Sequence, residues 1–275
     1  MPNWVANKIE FSGKQEDINK VLDIIKGDDK LFDFEKLIPM PKSLQLPSGS
    51  MQDNAIMYAL SKKNPREKTA IISFFMAKPA FLYGSYYDKI SKYVTDERIE
   101  RALEMFDAER DTLANKAIYA ELGIETFEDL GNAYIDNVLN YGYDTWYDWS
   151  CAKWGTKWNA CDTYMETECT LGFNTAWSCP LPVLDKLAEL CYKHNVEFVG
   201  KWADEDMGCN TGIFESYCDR DEYWFSYEEI EDCSNEAYEI YVDMHGESGC
   251  LARDIDSDEW IRYDCDDCPN KGDCW

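Results

Sequence analysis

The chain has 275 residues, of which 45% are hydrophobic and 15% aromatic, which excludes a wholly disordered polypeptide. It carries 54 acidic against 27 basic side chains, a net charge of −27. That balance excludes unaided nucleic-acid binding as the default, since phosphate contact needs a basic face, and excludes a polybasic membrane-surface protein.

The charge is uneven. Residues 1–150 hold 18 basic and 25 acidic side chains, net −7, and residues 151–275 hold 9 and 29, net −20. Basic protein partners, cations, or no partner at all remain, the last being the reading of a simply acidic protein.

Val5, Ile9 and Phe11 alternate with Lys8 and Glu10, which predicts a half-buried strand over 5–11 ended by Gly13. Ile18, Val21, Leu22 and Ile25 fall at helical spacing, closed by Gly27. Phe32, Phe34, Leu37 and Ile38 predict a second strand, halted by Pro39 and Pro41. Residues 43–55 read as a loop rich in Ser, Gly and Pro. The long insertion that follows reads as helical, with Ile99, Leu103, Phe106, Leu113 and Ala117 approaching a heptad seam broken by Arg110. Glu121–Asp148 contains no Lys or Arg and mixes acids with tyrosine and tryptophan.

Trp154–Asn159 (WGTKWN) reads as a strand with Trp154 and Trp158 on one face, because the side-chain period of a strand is two. Its bland reading is a pair of core plugs. Its functional reading is two aromatics flanking the Lys157 cation. Leu171, Phe173, Thr175 and Trp177 alternate as a strand, and Pro180 and Pro182 open a helix striped by Val183, Leu184, Leu187, Leu190 and Cys191. Val196, Phe198 and Trp202 continue as a strand, and Ile213–Cys218, Tyr223–Tyr227 and Ala237–Met244 read as further strands. Two β-α-β units predict an α+β protein: a ferredoxin-like β-α-β-β-α-β core split by a long helical insertion, with an acidic Cys-rich C-terminal extension. The expected boundaries are 1–42 and 141–216 for the core, 43–140 for the mainly helical insertion, and 217–275 for the β-rich extension and tail.

These blocks resemble a known family. MPNWVANKIEFSG at the start, FEKLIPMP at Phe34–Pro41, YGYDTWYDWSCAKWGTKWNA at Tyr141–Ala160 and LGFNTAWSCPLPVLDKLAELC at Leu171–Cys191 resemble the YubB-like proteins of phages and conjugative plasmids. The resemblance spans residues 1–42 and about 141–216 and departs from the family at Val5 and Cys179. It implies a ferredoxin-like domain and a mobile-element setting, and it implies no catalytic activity.

All 12 cysteines lie at or after Cys151. The start lacks the basic and apolar segments of a secretion signal, and no run of 18 apolar residues exists, so the expectation is reduced thiols in the host cytoplasm and no membrane contact. Cys265, Cys268 and Cys274 give C-x2-C-x5-C, which could hold zinc if Cys250 or His245 supplied a fourth ligand. Free thiols and a late disulfide are the alternatives, and no cofactor is the leading expectation. Asp204, Asp206, Gly208, Asn210 and Glu215 mimic the spacing of a calcium loop, but Cys209 stands where the turn needs glycine and the flanks read as strands. Asp254, Asp256 and Asp258 read as a solvated acidic face. His194 and His245 read as structural, and no nucleophile elbow, phosphate loop or zinc-protease helix is present, so no enzyme is expected.

The leading functional expectation is a non-enzymatic, phage-type inhibitor. It would bind a host anti-phage defence protein or complex with a basic surface, by acidic DNA mimicry or by steric blocking of a DNA-handling nuclease complex. Carboxylates beside aromatics suit such an interface. The candidate contacts are Glu125, Glu128, Asp129, Asp136, Tyr143, Asp144, Trp146, Tyr147 and Asp148 in one stretch. Asp219, Asp221, Glu222, Glu228, Glu229, Glu231 and Asp232 form the other. The alternatives are a zinc-binding protein using Cys250, Cys265, Cys268 and Cys274, and a single-stranded nucleic-acid binder stacking bases on the sheet, which the charge opposes. The aromatic-rich insertion could also support self-association.

Overall fold

The computed structural model describes residues 3–76, 96–110, 112–219, 222–254 and 257–263. In chain order these form β1 (Trp4–Ser12), α1 (Gln15–Ile25), α2 (Ser50–Lys62), α3 (Pro65–Met76), α4 (Asp96–Glu109), α5 (Leu113–Leu122), α6 (Phe127–Tyr141) and α7 (Trp146–Lys153). Then come β2 (Cys161–Thr167), β3 (Thr170–Ala176), α8 (Leu181–Lys193), β4 (Glu197–Asp204), β5 (Thr211–Asp219), β6 (Glu222–Ile230), α9 (Asn235–His245), β7 (Leu251–Arg253) and β8 (Trp260–Arg262). The chain divides into two compact units, one of Met1–Pro39 with Lys153–Trp275, the other of Met40–Ala152.

The first unit is built on a six-stranded sheet in the order β2-β3-β1-β4-β5-β6, antiparallel at every neighbour. The run β2-β3-β1-β4, with α1 and α8 as its two helices, is the ferredoxin-like arrangement, and β5 and β6 widen it. Alternation in β1 buries Val5, Ile9 and Phe11, and the register places Leu171, Phe173, Phe198 and Trp202 on the same face. α1 buries Ile18, Val21 and Ile25, and α8 buries Val183, Leu184, Leu187 and Cys191. Each such side chain contributes roughly 1.5–3 kcal/mol on burial, far above the few tenths that separate helix propensities, so packing fixes these helices.

Several local expectations are corrected, among them the loop expected over 43–55, where a 3-10 turn at Lys42–Gln45 is followed by α2 from Ser50. Residues 32–38 are not a strand: Phe34–Lys36 is a 3-10 turn capped by Asp33, whose carboxylate accepts from the Glu35 N–H. Phe32 and Phe34 are fully buried and edge onto Phe173, so the apolar run reflects core plugs, not strand alternation. The second core strand is β2, after the insertion. It is an exposed edge strand with register shifts, so its sequence shows no apolar alternation.

Ala237–Met244 is helical, not extended. Ser234 caps α9 by accepting from the Ala237 N–H at 3.1 Å, and Ala237, Ile240 and Met244 follow helical spacing into a small cluster with Ala203 and Ile230. Trp154–Asn159 is a series of turns that clamps the core. Trp154 Nε1 donates to the Ile38 carbonyl at 2.9 Å, Thr156 Oγ1 to Ala176 at 2.7 Å, and Asn159 Oδ1 accepts from the Phe34 N–H at 2.9 Å. Gly155 makes the bend with φ +78, a conformation side chains rarely adopt.

The second unit is helical. Its core holds Leu46, Ile56, Leu60, Phe106, Phe127, Leu130, Tyr134 and Val138. α2 and α6 approach closely at Gly131, where an added Cβ would overlap the Ala55 carbonyl oxygen and come within 2.7 Å of Ala59 Cβ. The expected heptad seam is two helices, because the chain breaks between α4 and α5, and Ala117 is exposed. The helical unit also runs to Ala152, not 140. Residues 141–152 join it because buried Asp144 accepts from Gln52 Nε2 at 2.6 Å and its carbonyl accepts from Asn137 at 2.9 Å.

Candidate functional site

In the helical unit the first predicted stretch is largely committed to the fold. Asp144 is 1% exposed and cannot reach a partner. Asp129 closes the N-terminus of α6 in a capping box with Thr126, whose hydroxyl and backbone N–H hold its carboxyl below the usual carboxylate range. Asp148 is half-buried and burial pushes its carboxyl up. Tyr143, Trp146 and Tyr147 are half-buried, with Trp146 and Tyr147 edge to face at 5.7 Å. Glu125 and Asp136 are exposed, and Glu128 is partly so.

The second stretch is presented to solvent in the sheet unit. β5 and β6 form a hairpin with Asp219 opposite Glu222, and β6 is an outer strand of the sheet. Glu222, Glu228, Glu229 and Glu231 are exposed, and among the described residues no ion pair engages them. Asp232 is exposed and its carboxylate accepts from the Asn210 N–H at 3.0 Å. Asp221 lies outside the described residues. The same hairpin exposes large rings: Tyr217 and Trp224 stack at 6.2 Å with an 11° interplanar angle, and Tyr227 is 53% exposed. Acids on an outer strand also discourage strand-to-strand association, but that role alone does not call for exposed rings.

Beside this hairpin, the sheet face opposite α1 and α8 is only partly covered. α9 packs over Ala203 and Ile230, leaving a groove of about 640 Å3 between α9 and β1, β4 and β5. Val199, Ile213 and Ile240 give it an apolar floor. Its two lysines are engaged, Lys8 with Glu166 at 2.9 Å and Lys201 with Asp243 at 2.7 Å, and Lys201 holds the Asp243 carboxyl below its usual range. Glu10, Glu215, Glu228, Glu236 and Glu239 complete the wall. Sequence reading missed this groove because it joins residues 8–10 to 199–243. The one local signal was Val199 and Lys201 alternating against Phe198 and Trp202.

The remaining predicted sites resolve as follows. Cys250 is buried, and Cys265, Cys268 and Cys274 lie outside the described residues. Among the described residues no group of three or more His, Cys, Asp or Glu is arranged to hold a metal. The calcium-like loop is the turn between β4 and β5, where buried Asp204 accepts from Asp206 N and Asn210 Nδ2 and Asp206 pairs with Arg262. The tryptophans beside Lys157 are Trp158 and Trp177, with its ammonium 4.8 and 4.5 Å from their centroids. Trp154 is instead the buried member of the motif. Cys161, Cys169, Cys179, Cys191, Cys209, Cys218 and Cys233 are free thiols, and among the described residues no helix is long and apolar enough to cross a membrane.

Residues 153–245 match the family described as the ferredoxin-like domain in Api92-like protein. Among solved structures, the crystal structure of a protein Api92 from Yersinia pseudotuberculosis is similar at 11% identity and a TM-score of 0.37, covering 84% of this chain and 98% of that one. No curated protein matches the chain.

Proposed function

We propose that this protein is a non-enzymatic inhibitor that captures a host anti-phage defence protein through a carboxylate-rich surface complementary to a basic, DNA-handling face. The observation that carries this reading is the hairpin of β5 and β6 with the turn after it, where Glu222, Glu228, Glu229 and Glu231 take no ion pair among the described residues and Tyr217, Trp224 and Tyr227 are exposed. Carboxylates pair with Arg and Lys much as phosphates do, and aromatic rings supply anchor area at low entropic cost. The net charge of −20 over residues 151–275 adds long-range attraction, which speeds encounter. The resemblance to YubB-like proteins supports a phage or plasmid setting, with the host cytoplasm as the place of action.

Competition tests this reading. The tagged protein is used to capture its partner from a bacterial lysate that contains defence systems, with sheared duplex DNA added in increasing amounts. The expected result is a stoichiometric DNA-handling protein displaced progressively by the DNA, because both ligands need one basic face. Capture indifferent to DNA, or direct binding of an oligonucleotide by the chain itself, would contradict it.

A further inference from the structure

We infer that the groove between α9 and the open face of β1, β4 and β5 is a docking site for a partner's basic amphipathic segment, one that alternates aliphatic with Lys or Arg side chains. The inference rests on the reading above and names the chemistry of the partner's contact. Two independent features of the groove support it. The floor is apolar and exposed: Val199 is 52% and Ile213 38% open to water, a cost that an aliphatic side chain from a partner would remove. The wall is acidic and short of internal cations. Lys8 and Lys201 are held by Glu166 and Asp243. Among the described residues Glu228 and Glu236 take no ion pair, while Glu239 pairs with Arg253 at 3.7 Å and accepts from Asn235 Nδ2 at 3.4 Å.

Charge complementarity decides the occupant. A neutral apolar segment would fill the floor and leave the carboxylates desolvated without partners, which is costly. A polycation without apolar side chains would satisfy the wall and leave Val199 and Ile213 in water. Only a segment with both kinds of side chain satisfies floor and wall together. A concave site of this size accepts a few such side chains, not a whole helix.

The test is a selection of random dodecapeptides, displayed on phage, against the full chain. The expected consensus combines Leu, Ile or Val with Lys or Arg. Val199→Arg should weaken the selected peptides by about tenfold or more, as loss of a central apolar contact does. Val199 is half in solvent, so its replacement leaves the core packed, and circular dichroism checks this. The paired variant Glu236→Gln with Glu239→Gln should weaken binding without changing the shape of the groove. No enrichment, a consensus lacking basic residues, or peptides indifferent to both variants would overturn the inference. If both groove variants still capture the natural partner while reversal of Glu222, Glu229 and Glu231, none of which lines the groove, abolishes capture, the groove inference fails and the inhibitor reading stands.

Discussion

Gly131→Val is expected to unfold or severely loosen the helical unit. The Cβ of any side chain at 131 would overlap the Ala55 carbonyl oxygen and press on Ala55 C and Ala59 Cβ, both at 2.7 Å. The first obstacle is backbone of α2 and cannot swing aside as a flexible side chain can. α2 and α6 would have to separate, and Ile56, Leu60, Leu130 and Tyr134 would lose their shared packing. Overpacking a tight core typically costs about 1–3 kcal/mol, and a backbone obstacle places this case at or above the upper end. Hydrogen exchange of the α2 and α6 amides checks it: protection should fall by two orders of magnitude or more, about 3 kcal/mol. Unchanged protection would mean that α2 and α6 do not approach as described.

Trp154→Ala is the second large effect, and it tests the bland reading of the tryptophan motif. Trp154 is 4% exposed, its ring edges onto Phe34 at 5.9 Å, and its Nε1 satisfies the Ile38 carbonyl. Removing a buried tryptophan leaves a cavity and should cost about 3–5 kcal/mol. Trp154→Phe keeps most of the packing and forfeits the hydrogen bond, for a cost of about 1–2 kcal/mol. Urea denaturation of the two variants separates the effects. Equal and small losses would mean that the motif is not a structural clamp, and would favour its reading as aromatics flanking the Lys157 cation.

Much of the fold was legible where a single element reports its own environment. The alternation of Val5, Ile9 and Phe11 marks β1, the stripe from Val183 to Cys191 marks α8, and both lie where their periodicity places them. Legibility failed where apolar residues serve distant partners. Phe32 and Phe34 plug the sheet from a capped turn, and nothing local separates that from a strand. Over Ala237–Met244, apolar residues satisfied both periods, and only the Ser234 cap favoured the helix. The site divides the same way. Net charge pointed to carboxylates, yet composition could not tell Asp144, buried on Gln52, from Glu228, open to water. The groove was illegible, because its floor and wall meet only after β1, β4, β5 and α9 assemble.

In the function proposed above, exposed carboxylates of β6 and the turn after it draw in a basic partner. Attraction of that kind is screened over about 8 Å at physiological ionic strength, so it carries a signature in salt. The most direct measurement is partner capture by the wild-type chain and by the Glu228→Lys, Glu229→Lys, Glu231→Lys variant, at low and moderate salt. The wild type should capture its partner strongly at low salt and less at moderate salt, and the variant should capture weakly with a flattened salt dependence. Equal capture by both chains, with the same salt slope, would contradict it.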